Sequence, residues 1–196
     1  MEAYFDNSAT TIVTDSVKDI VVKTMTEDFG NPSAMHMVGV KAEKYIKEAQ
    51  ENIAKILKVD PKEIFFTSGG TESNNMAIIG TAMANKRKGN KIITTSVEHS
   101  SVLATMKYLE EQGFEVIYLP VDRYGVVQME ALEKEMTEDT ILVSTMYVNN
   151  EVGAIEPVGE IGQYIKKVNP SVVYHADAIQ AFGKLEIKPR RDNIDL

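Results

Sequence analysis

The chain has 196 residues, of which 43% are hydrophobic and 26% charged, so it is long enough for one well-packed domain of ordinary composition. Its formal net charge of -8 argues against a broad basic surface for nucleic acid or anionic lipid, and no apolar run approaches a membrane span. Cysteine is absent and only three histidines are present, which leaves no basis for disulfides, thiolate chemistry or a metal centre. We therefore expect a cytoplasmic protein that binds no nucleic acid, no membrane and no metal.

Helices and strands are predicted to alternate along most of the chain. Apolar residues spaced as on one helix face predict helices from Asp15 to Met25 and from Lys41 to Lys58. Short apolar runs predict five strands, and the segments between them predict further helices. The predicted strands are Ile64–Thr67, Ile92–Thr95, Phe114–Leu119, Ile141–Tyr147 and Val172–His175, and the further helices are Thr71–Ala84, Ser100–Gln112, Met129–Met136 and Val158–Lys167.

This alternation predicts an α/β fold of three layers, with a mainly parallel sheet covered by helices on both faces. The predicted strands are nearly continuous apolar runs, which is typical of sheets buried on both faces. In such folds ligands bind at the carboxyl ends of the strands. Polar clusters lie at that position after four of the predicted strands, namely Ser68–Thr71, Glu98–His99, Asn149–Asn150 and Asp177–Gln180.

The first of these clusters, Ser68-Gly69-Gly70-Thr71, joins a predicted strand to a predicted helix. Free N–H groups of a first helical turn, together with small hydroxyls, can hold a phosphate. The segment lacks the Gly-Lys-Ser/Thr end of a Walker loop and the GxGxxG spacing of a dinucleotide site. A mononucleotide-type phosphate therefore fits better than ATP or NAD, and a capping turn without any ligand explains the segment equally well.

The other three clusters each allow a structural and a functional interpretation. His99 is either a loop residue or a ring that stacks on an aromatic cofactor and exchanges protons. Asp177 pairs either with a helix start or with a protonated pyridine nitrogen. Asn149 and Asn150 are either turn formers or ligands of a phenolic oxygen and a carboxylate. Gln180 lies one turn beyond Asp177 if a helix begins there, and it would then reach the same cofactor oxygen.

Six segments of the chain together resemble cysteine desulfurases of the NifS/IscS kind, which are class-V aminotransferase-like, fold-type I enzymes that use pyridoxal phosphate. The resemblance runs from Tyr4 to Leu196, and it implies that the fold is part of the large domain of such enzymes. The matching segments are Tyr4–Thr11, Gly30–Ser33, Phe66–Asn74, Glu98–His99, Val148–Gly153 and His175–Gln180.

The resemblance implies a role for each candidate residue around the cofactor. Gly70 and Thr71 bind the phosphate, and the ring of His99 stacks on the pyridine and acts as a catalytic acid or base. Asp177 pairs with the pyridine nitrogen and keeps the ring an electron sink.

Two further residues are implied at the oxygen atom of the cofactor ring. Asn150 approaches the phenolic oxygen and the substrate, and Gln180 contacts the same oxygen. His36 and the loop Gly30–Ser33 are implied to line the site or the dimer interface.

The resemblance also implies a domain organisation. Residues 1–15 form an N-terminal segment that packs with a small C-terminal domain, and residues 16–196 form part of the large domain, while the small domain itself is absent. Family members carry the lysine that binds the cofactor covalently just beyond the point matching Leu196, and the sulfur-accepting cysteine farther on. No lysine in this chain matches that motif, so we expect the chain alone to be inactive.

The implied reaction converts L-cysteine to L-alanine and transfers the sulfur, as an enzyme persulfide, to an Fe–S scaffold or other acceptor protein. The implied assembly is a homodimer, and a fragment is expected to expose apolar surface and to self-associate. Two alternatives remain open at this point. One is a selenocysteine lyase or another class-V β-lyase that uses the same cofactor, and the other is a non-catalytic remnant that serves as a binding or dimerisation module.

Overall fold

The computed structural model describes residues 3–196, which fall into two compact units, one ending at Phe65 and one spanning Phe66–Leu196. The domain boundary expected after residue 15 remains a prediction. The helices are α1 (Asp15–Thr26), α2 (Met37–Leu57), α3 (Gly70–Asn85), α4 (Ser100–Glu111), α5 (Met129–Glu135), α6 (Val158–Val168) and α7 (Pro189–Asp192), and the strands are β1 (Lys91–Thr95), β2 (Glu115–Leu119), β3 (Thr140–Met146) and β4 (Val173–Asp177).

The unit that ends at Phe65 is built from α1 and α2. The predicted helix from Asp15 is confirmed, whereas α2 begins four residues before its predicted start. The earlier start has a local cause, because His36 caps the helix and its Nδ1 accepts the N–H of Gly39 at 3.2 Å. Lys58 then ends α2 in the left-handed conformation, with φ 57°.

The strand predicted at Ile64–Thr67 is wrong. A short 3-10 turn occupies Pro61–Glu63, and Ile64 after it is extended, but residues 64–67 belong to no strand of the described chain. The carbonyl of Ile64 accepts the side-chain amide of Gln50 at 3.0 Å, so a side chain takes the place of a neighbouring strand. The apolar run is not buried either, because Phe65 is 74% exposed.

The unit spanning Phe66–Leu196 contains the sheet. Within the described residues its four strands are all parallel and lie in the order β2-β1-β3-β4. Crossovers between parallel strands are right-handed, so α4, which leads outward from β1 to β2, covers one face. The connections α5 and α6 lead in the opposite direction and cover the other face. The predicted three-layer α/β fold is therefore confirmed.

The core of this unit lies between the sheet and the pair of helices α3 and α4, which pack against each other. Every residue of β1 and β3 is buried, as the continuous apolar runs predict for central strands. Ile78 of α3, Met106 of α4 and Leu142 of β3 are fully buried in one cluster. The predicted end of α4 is confirmed by Gly113, which adopts φ 88°. No helix within residues 3–196 combines the length and apolarity needed to cross a membrane.

Candidate functional site

The first turn of α3 carries two of the predicted phosphate ligands, Gly70 and Thr71. The helix begins at Gly70, and the side chain of Thr71 is exposed. The N–H and hydroxyl of Ser68 both donate to Glu72 Oε2 at 2.6 Å, and these bonds lower the pKa of the Glu72 carboxyl. Ser68 is therefore already bonded to a carboxylate, while the first-turn N–H groups have no intrahelical partner by the geometry of a helix start.

Gly70 also shows which part of the unit lies beside this helix start. A Cβ atom at Gly70 would stand 2.3 Å from Cδ1 of Ile179, in the turn that follows β4. The start of α3 therefore lies directly against the carboxyl end of β4. A larger residue at position 70 would have to displace the Ile179 side chain, which is 60% exposed.

The side chain of Glu98 forms hydrogen bonds to the ends of both central strands, β1 and β3. Its Oε1 accepts the hydroxyl of Thr95, at the end of β1, at 2.6 Å, and the N–H of Met146, at the end of β3, at 2.7 Å. Burial raises the pKa of Glu98 to about 8, and the negative charge of Asp177 adds to the shift. Sequence reasoning gave Glu98 no role, although a carboxylate beside a buried strand was a usable signal.

His99 is the N-cap residue of α4 and is exposed. Its Nδ1 accepts the N–H of Ser101 at 3.2 Å and lies 2.8 Å from the Ser101 hydroxyl. The ring is therefore fixed through Nδ1, while much of the residue remains accessible. His99 therefore has a structural role as a helix cap, which the sequence analysis did not specify, and its stacking on a cofactor stays a prediction.

Asp177, the last residue of β4, is connected to His99 by hydrogen bonds. Its Oδ2 accepts the side-chain amide of Asn74 at 2.8 Å, and the same Asn74 nitrogen donates to the Ser101 hydroxyl at 3.0 Å. Its Oδ1 accepts the N–H of Ile179 at 3.1 Å. One continuous path therefore joins Asp177 through Asn74 and Ser101 to His99, beside the start of α3.

Asn149 and Asn150, which follow β3, differ in their hydrogen bonds. Asn149 is a turn former, because its Oδ1 accepts the N–H groups of Glu151 and Val152, both at 2.9 Å. Its side-chain amide donates to the carbonyl of Val97 at 3.0 Å, which ties this turn to the segment after β1. Asn150 is half-buried and donates to Glu151 Oε1 at 2.7 Å. A ligand role for Asn150 stays a prediction.

Gln180 lies in a series of turns rather than on a helix. The turns include the hydrogen bond from Ala181 N–H to the carbonyl of Ala178 at 2.9 Å. The side-chain oxygen of Gln180 accepts Nζ of Lys184 at 3.0 Å. The condition that a helix begins after Asp177 is therefore not met, and the contact of Gln180 with a cofactor oxygen stays a prediction.

His175, which belongs to the same matching segment as Asp177, serves the core. Its Nδ1 lies 2.9 Å from the hydroxyl of Ser144 on the neighbouring strand. Burial lowers the pKa of His175 to about 4, so the ring is neutral at physiological pH. The polar residue that emerges from β4 toward the candidate site is therefore Asp177.

Comparisons with known proteins identify the family of this chain. The aminotransferase class-V family model matches residues 3–196. The chain is 47% identical over 195 residues to the cysteine desulfurase IscS of Clostridium botulinum and 48% identical over 193 residues to that of Methanosarcina thermophila. These matches cover 100% and 98% of this chain but 49% and 47% of the relatives, so the chain spans about half their length.

Solved structures show the same relationship. A NifS-like protein superposes with a TM-score of 0.96 at 45% identity, covering 100% of this chain and 54% of that protein. A structure described as SspA in complex with cysteine superposes with a TM-score of 0.93 at 38% identity, covering 98% of this chain and 55% of that one. The predicted resemblance is confirmed over the whole chain. This chain belongs to the aminotransferase class-V family, with IscS and NifS-type proteins among its relatives.

Proposed function

We propose that this chain is the cofactor-binding part of a cysteine desulfurase that uses pyridoxal phosphate. The observation that carries the proposal is the hydrogen-bonded path from Asp177 to His99 beside the first turn of α3. Relatives of this chain are named cysteine desulfurases, and one related structure is described as a complex with cysteine.

The donors and acceptors present at this edge of the sheet fit the cofactor. The first-turn N–H groups at Gly70 and Thr71, with the Thr71 hydroxyl, suit a phosphate dianion at a helix N-terminus. The carboxylate of Asp177 accepts one hydrogen bond on each oxygen and is held in place for a protonated ring nitrogen. His99 offers an exposed aromatic surface close to that carboxylate.

The proposal assigns a role at the cofactor to each residue of the site. When bound, pyridoxal phosphate supplies an electron sink for carbanion chemistry. Asp177 keeps a proton on the ring nitrogen, and Gly70 and Thr71 anchor the phosphate. His99 stacks against the ring and exchanges protons, while Asn150 and Gln180 bind the phenolic oxygen of the ring.

The proposed reaction moves the sulfur of L-cysteine to an enzyme thiolate, which becomes a persulfide, and leaves L-alanine. The 196 residues contain no cysteine, so the accepting thiolate has to come from another segment or another chain. We therefore propose that this chain alone binds the cofactor without turning over cysteine. The complete enzyme is proposed to be a cytoplasmic homodimer that passes sulfur to an Fe–S scaffold or another acceptor protein.

The test of the site is a calorimetric titration of the chain with pyridoxal phosphate and, separately, with pyridoxal. We expect pyridoxal to bind at least tenfold more weakly, because it lacks the phosphate that the start of α3 would hold. Asp177→Asn should weaken the binding of both ligands, whereas Asp139→Asn, at an exposed aspartate, should weaken neither. Equal affinity of the wild-type chain for the two ligands would remove the basis of the proposal.

Two further measurements test the inactivity of the chain. Incubation with pyridoxal phosphate and L-cysteine should yield no alanine above the level of free cofactor. Borohydride treatment of the complex should leave the intact mass unchanged, because no lysine of the chain matches the family's cofactor-binding motif. A single reduced adduct that disappears in Asp177→Asn would show that one of the present lysines does bind the cofactor covalently.

A further inference from the structure

Asn74 lies between Asp177 and the Ser101 side chain that contacts His99. It lies on α3 and is only 4% exposed. Its side-chain nitrogen is 2.8 Å from Asp177 Oδ2 and 3.0 Å from Ser101 Oγ, so both amide hydrogens have acceptors. A buried amide that donates in two directions fixes the relative position of its two acceptors.

The direction of each hydrogen bond follows from the chemistry of the groups. The amide nitrogen of Asn74 can only donate, so the Ser101 oxygen is its acceptor. The single hydroxyl hydrogen of Ser101 is then free to point at His99 Nδ1, which lies 2.8 Å away. The backbone N–H of Ser101 also donates to His99 Nδ1, at 3.2 Å.

These bonds determine which nitrogen of His99 carries the hydrogen. A nitrogen that accepts two hydrogen bonds must offer its lone pair, so Nδ1 is unprotonated in the neutral ring. The hydrogen therefore resides on Nε2. In this tautomer His99 presents an N–H group at Nε2, and its other nitrogen is occupied by Ser101.

We propose that Asn74 and Ser101 are positioning residues that hold His99 in the Nε2–H tautomer while they hold the Asp177 carboxylate in place. Their importance for catalysis rests on the proposed function, which gives His99 and Asp177 their roles at the cofactor. The tautomer itself rests only on the hydrogen bonds of this chain. Of the two roles left open for His99, acid or base, this tautomer favours hydrogen-bond donation through Nε2.

The test is long-range proton–nitrogen NMR of the histidine rings in the ¹⁵N-labelled chain without cofactor, at about pH 8, above the ordinary titration range of histidine. Such spectra distinguish protonated from unprotonated ring nitrogens. The chain has three histidines, and His99→Gln identifies the signals of His99 by their loss. We expect the neutral ring of His99 to be in the Nε2–H form, and a dominant Nδ1–H form would overturn the proposal.

Variants then test the two positioning residues separately. Ser101→Ala removes the hydroxyl but keeps the backbone N–H, and it should shift the tautomer ratio toward Nδ1–H by about fivefold, the factor that one net hydrogen bond is worth. Ser101→Thr should restore the wild-type ratio because it restores a hydroxyl. Ser100→Ala, at the exposed neighbouring serine, should have no effect. A ratio that is unchanged in Ser101→Ala would contradict the proposal.

Asn74→Leu removes both amide hydrogens but keeps the number and branching of the side-chain heavy atoms. It should also shift the tautomer ratio, since the Ser101 hydroxyl then loses the donor that directs it. Asn85→Leu is the matched control, because Asn85 lies on the same helix and donates to its own helix at the Thr81 carbonyl. If Asn74→Leu does not fold, as judged by its amide spectrum, the Ser101 variants decide the question. The two proposals can fail separately. If Ser101→Ala shows the expected shift of the tautomer ratio but the wild-type chain does not bind pyridoxal phosphate, this proposal stands and the proposed function is refuted.

Discussion

Helix α1 and the central strands β1 and β3 place their apolar residues in opposite environments. In α1 no residue is buried, and Val17 and Val21 are 50% and 47% exposed although they share one face of the helix. In β1 and β3 every residue is buried. Periodicity identifies which residues share a face, but only the packing partner decides whether that face leaves water.

A second contrast concerns polar groups. At the carboxyl edge of β1, β3 and β4, buried and half-buried polar side chains are bonded to one another, as Glu98 is to Thr95 and Asn74 is to Asp177. Along α1, polar side chains are exposed and interact locally, as Lys18 does with Asp15 at 2.6 Å. The strand edge is therefore where single substitutions are expected to have large and specific effects.

The largest expected effect comes from the buried strand. Leu142→Ala in β3 should lower the free energy of unfolding by about 3 kcal/mol, because it removes fully buried methyl groups and leaves a cavity. Val21→Ala in α1 should change it by less than about 0.5 kcal/mol, as expected at an exposed position. Urea denaturation followed by circular dichroism measures both. Similar losses for the two variants would show that α1 is packed as tightly as the sheet.

The second effect is a dependence of folding stability on pH that arises from Glu98. Its pKa is raised from 4.5 to about 8, so the folded protein keeps a proton that the unfolded chain releases. Stability should therefore fall as pH rises from the ordinary glutamate range to about 8, and become constant above it. His175, whose lowered pKa of about 4 acts in the opposite sense, contributes little above its ordinary value of 6.5.

The window between pH 6.5 and 8 therefore isolates the contribution of Glu98. Between these two pH values the free energy of unfolding of the wild-type protein should fall by about 2 kcal/mol more than that of Glu98→Gln, because the variant has no carboxyl proton to release at this position. Glu156, whose pKa is also raised by burial, is present in both proteins and cancels in the comparison. Glu51→Gln, at an exposed glutamate of α2, should behave as the wild type. Parallel pH profiles for wild type and Glu98→Gln would refute the assignment.

The third effect concerns Thr71, an exposed residue in the first turn of α3. Thr71→Val should lower the affinity for pyridoxal phosphate about fivefold, the factor that one net hydrogen bond is worth, and leave the affinity for pyridoxal unchanged. Thr26→Val provides the control in α1, where the hydroxyl of Thr26 donates to the Val22 carbonyl at 2.8 Å. Calorimetry with both ligands provides the affinities. An equal loss for the two ligands would place the Thr71 hydroxyl away from the phosphate.

The smallest effect is expected on the exposed face of α1. The double variant Val17→Gln, Val21→Gln should reduce the concentration-dependent association of the chain, because it removes apolar surface without touching the sheet. Lys18→Gln, on the same helix, is the control. Static light scattering over a concentration series measures the change. A wild-type chain that remains monomeric at all concentrations would contradict the expected self-association.

Much of the fold follows from local sequence patterns. Helices α1 to α6 and the four strands of the described sheet follow from the spacing of apolar residues, because each pattern matches the period of its element. The short helix α7 was not predicted. The predicted strand Ile64–Thr67 failed because an apolar run contains no information about the presence of a neighbouring strand. The true start of α2 was missed because it depends on one capping side chain, His36.

The candidate site was predictable only in part. His99 and Asp177 were found because one follows a strand and the other ends one, and parallel strands bring their carboxyl ends to one edge. Gly70 was found from the glycine turn that begins α3, although the strand predicted before that turn does not form. The connection through Asn74 and Ser101 was not predictable. These two residues are 27 positions apart, and their contact requires α3 and α4 to pack with a particular register.

The most direct test of a cofactor site at this edge is a map of backbone amide shifts in the ¹⁵N-labelled chain during titration with pyridoxal phosphate. We expect the largest changes at Gly70, Thr71, His99 and the residues around Asp177, with little change in α1. Changes concentrated instead on Asp122, Arg123 and Tyr124, which line a cavity of about 680 Å³, would contradict the account and place the ligand elsewhere.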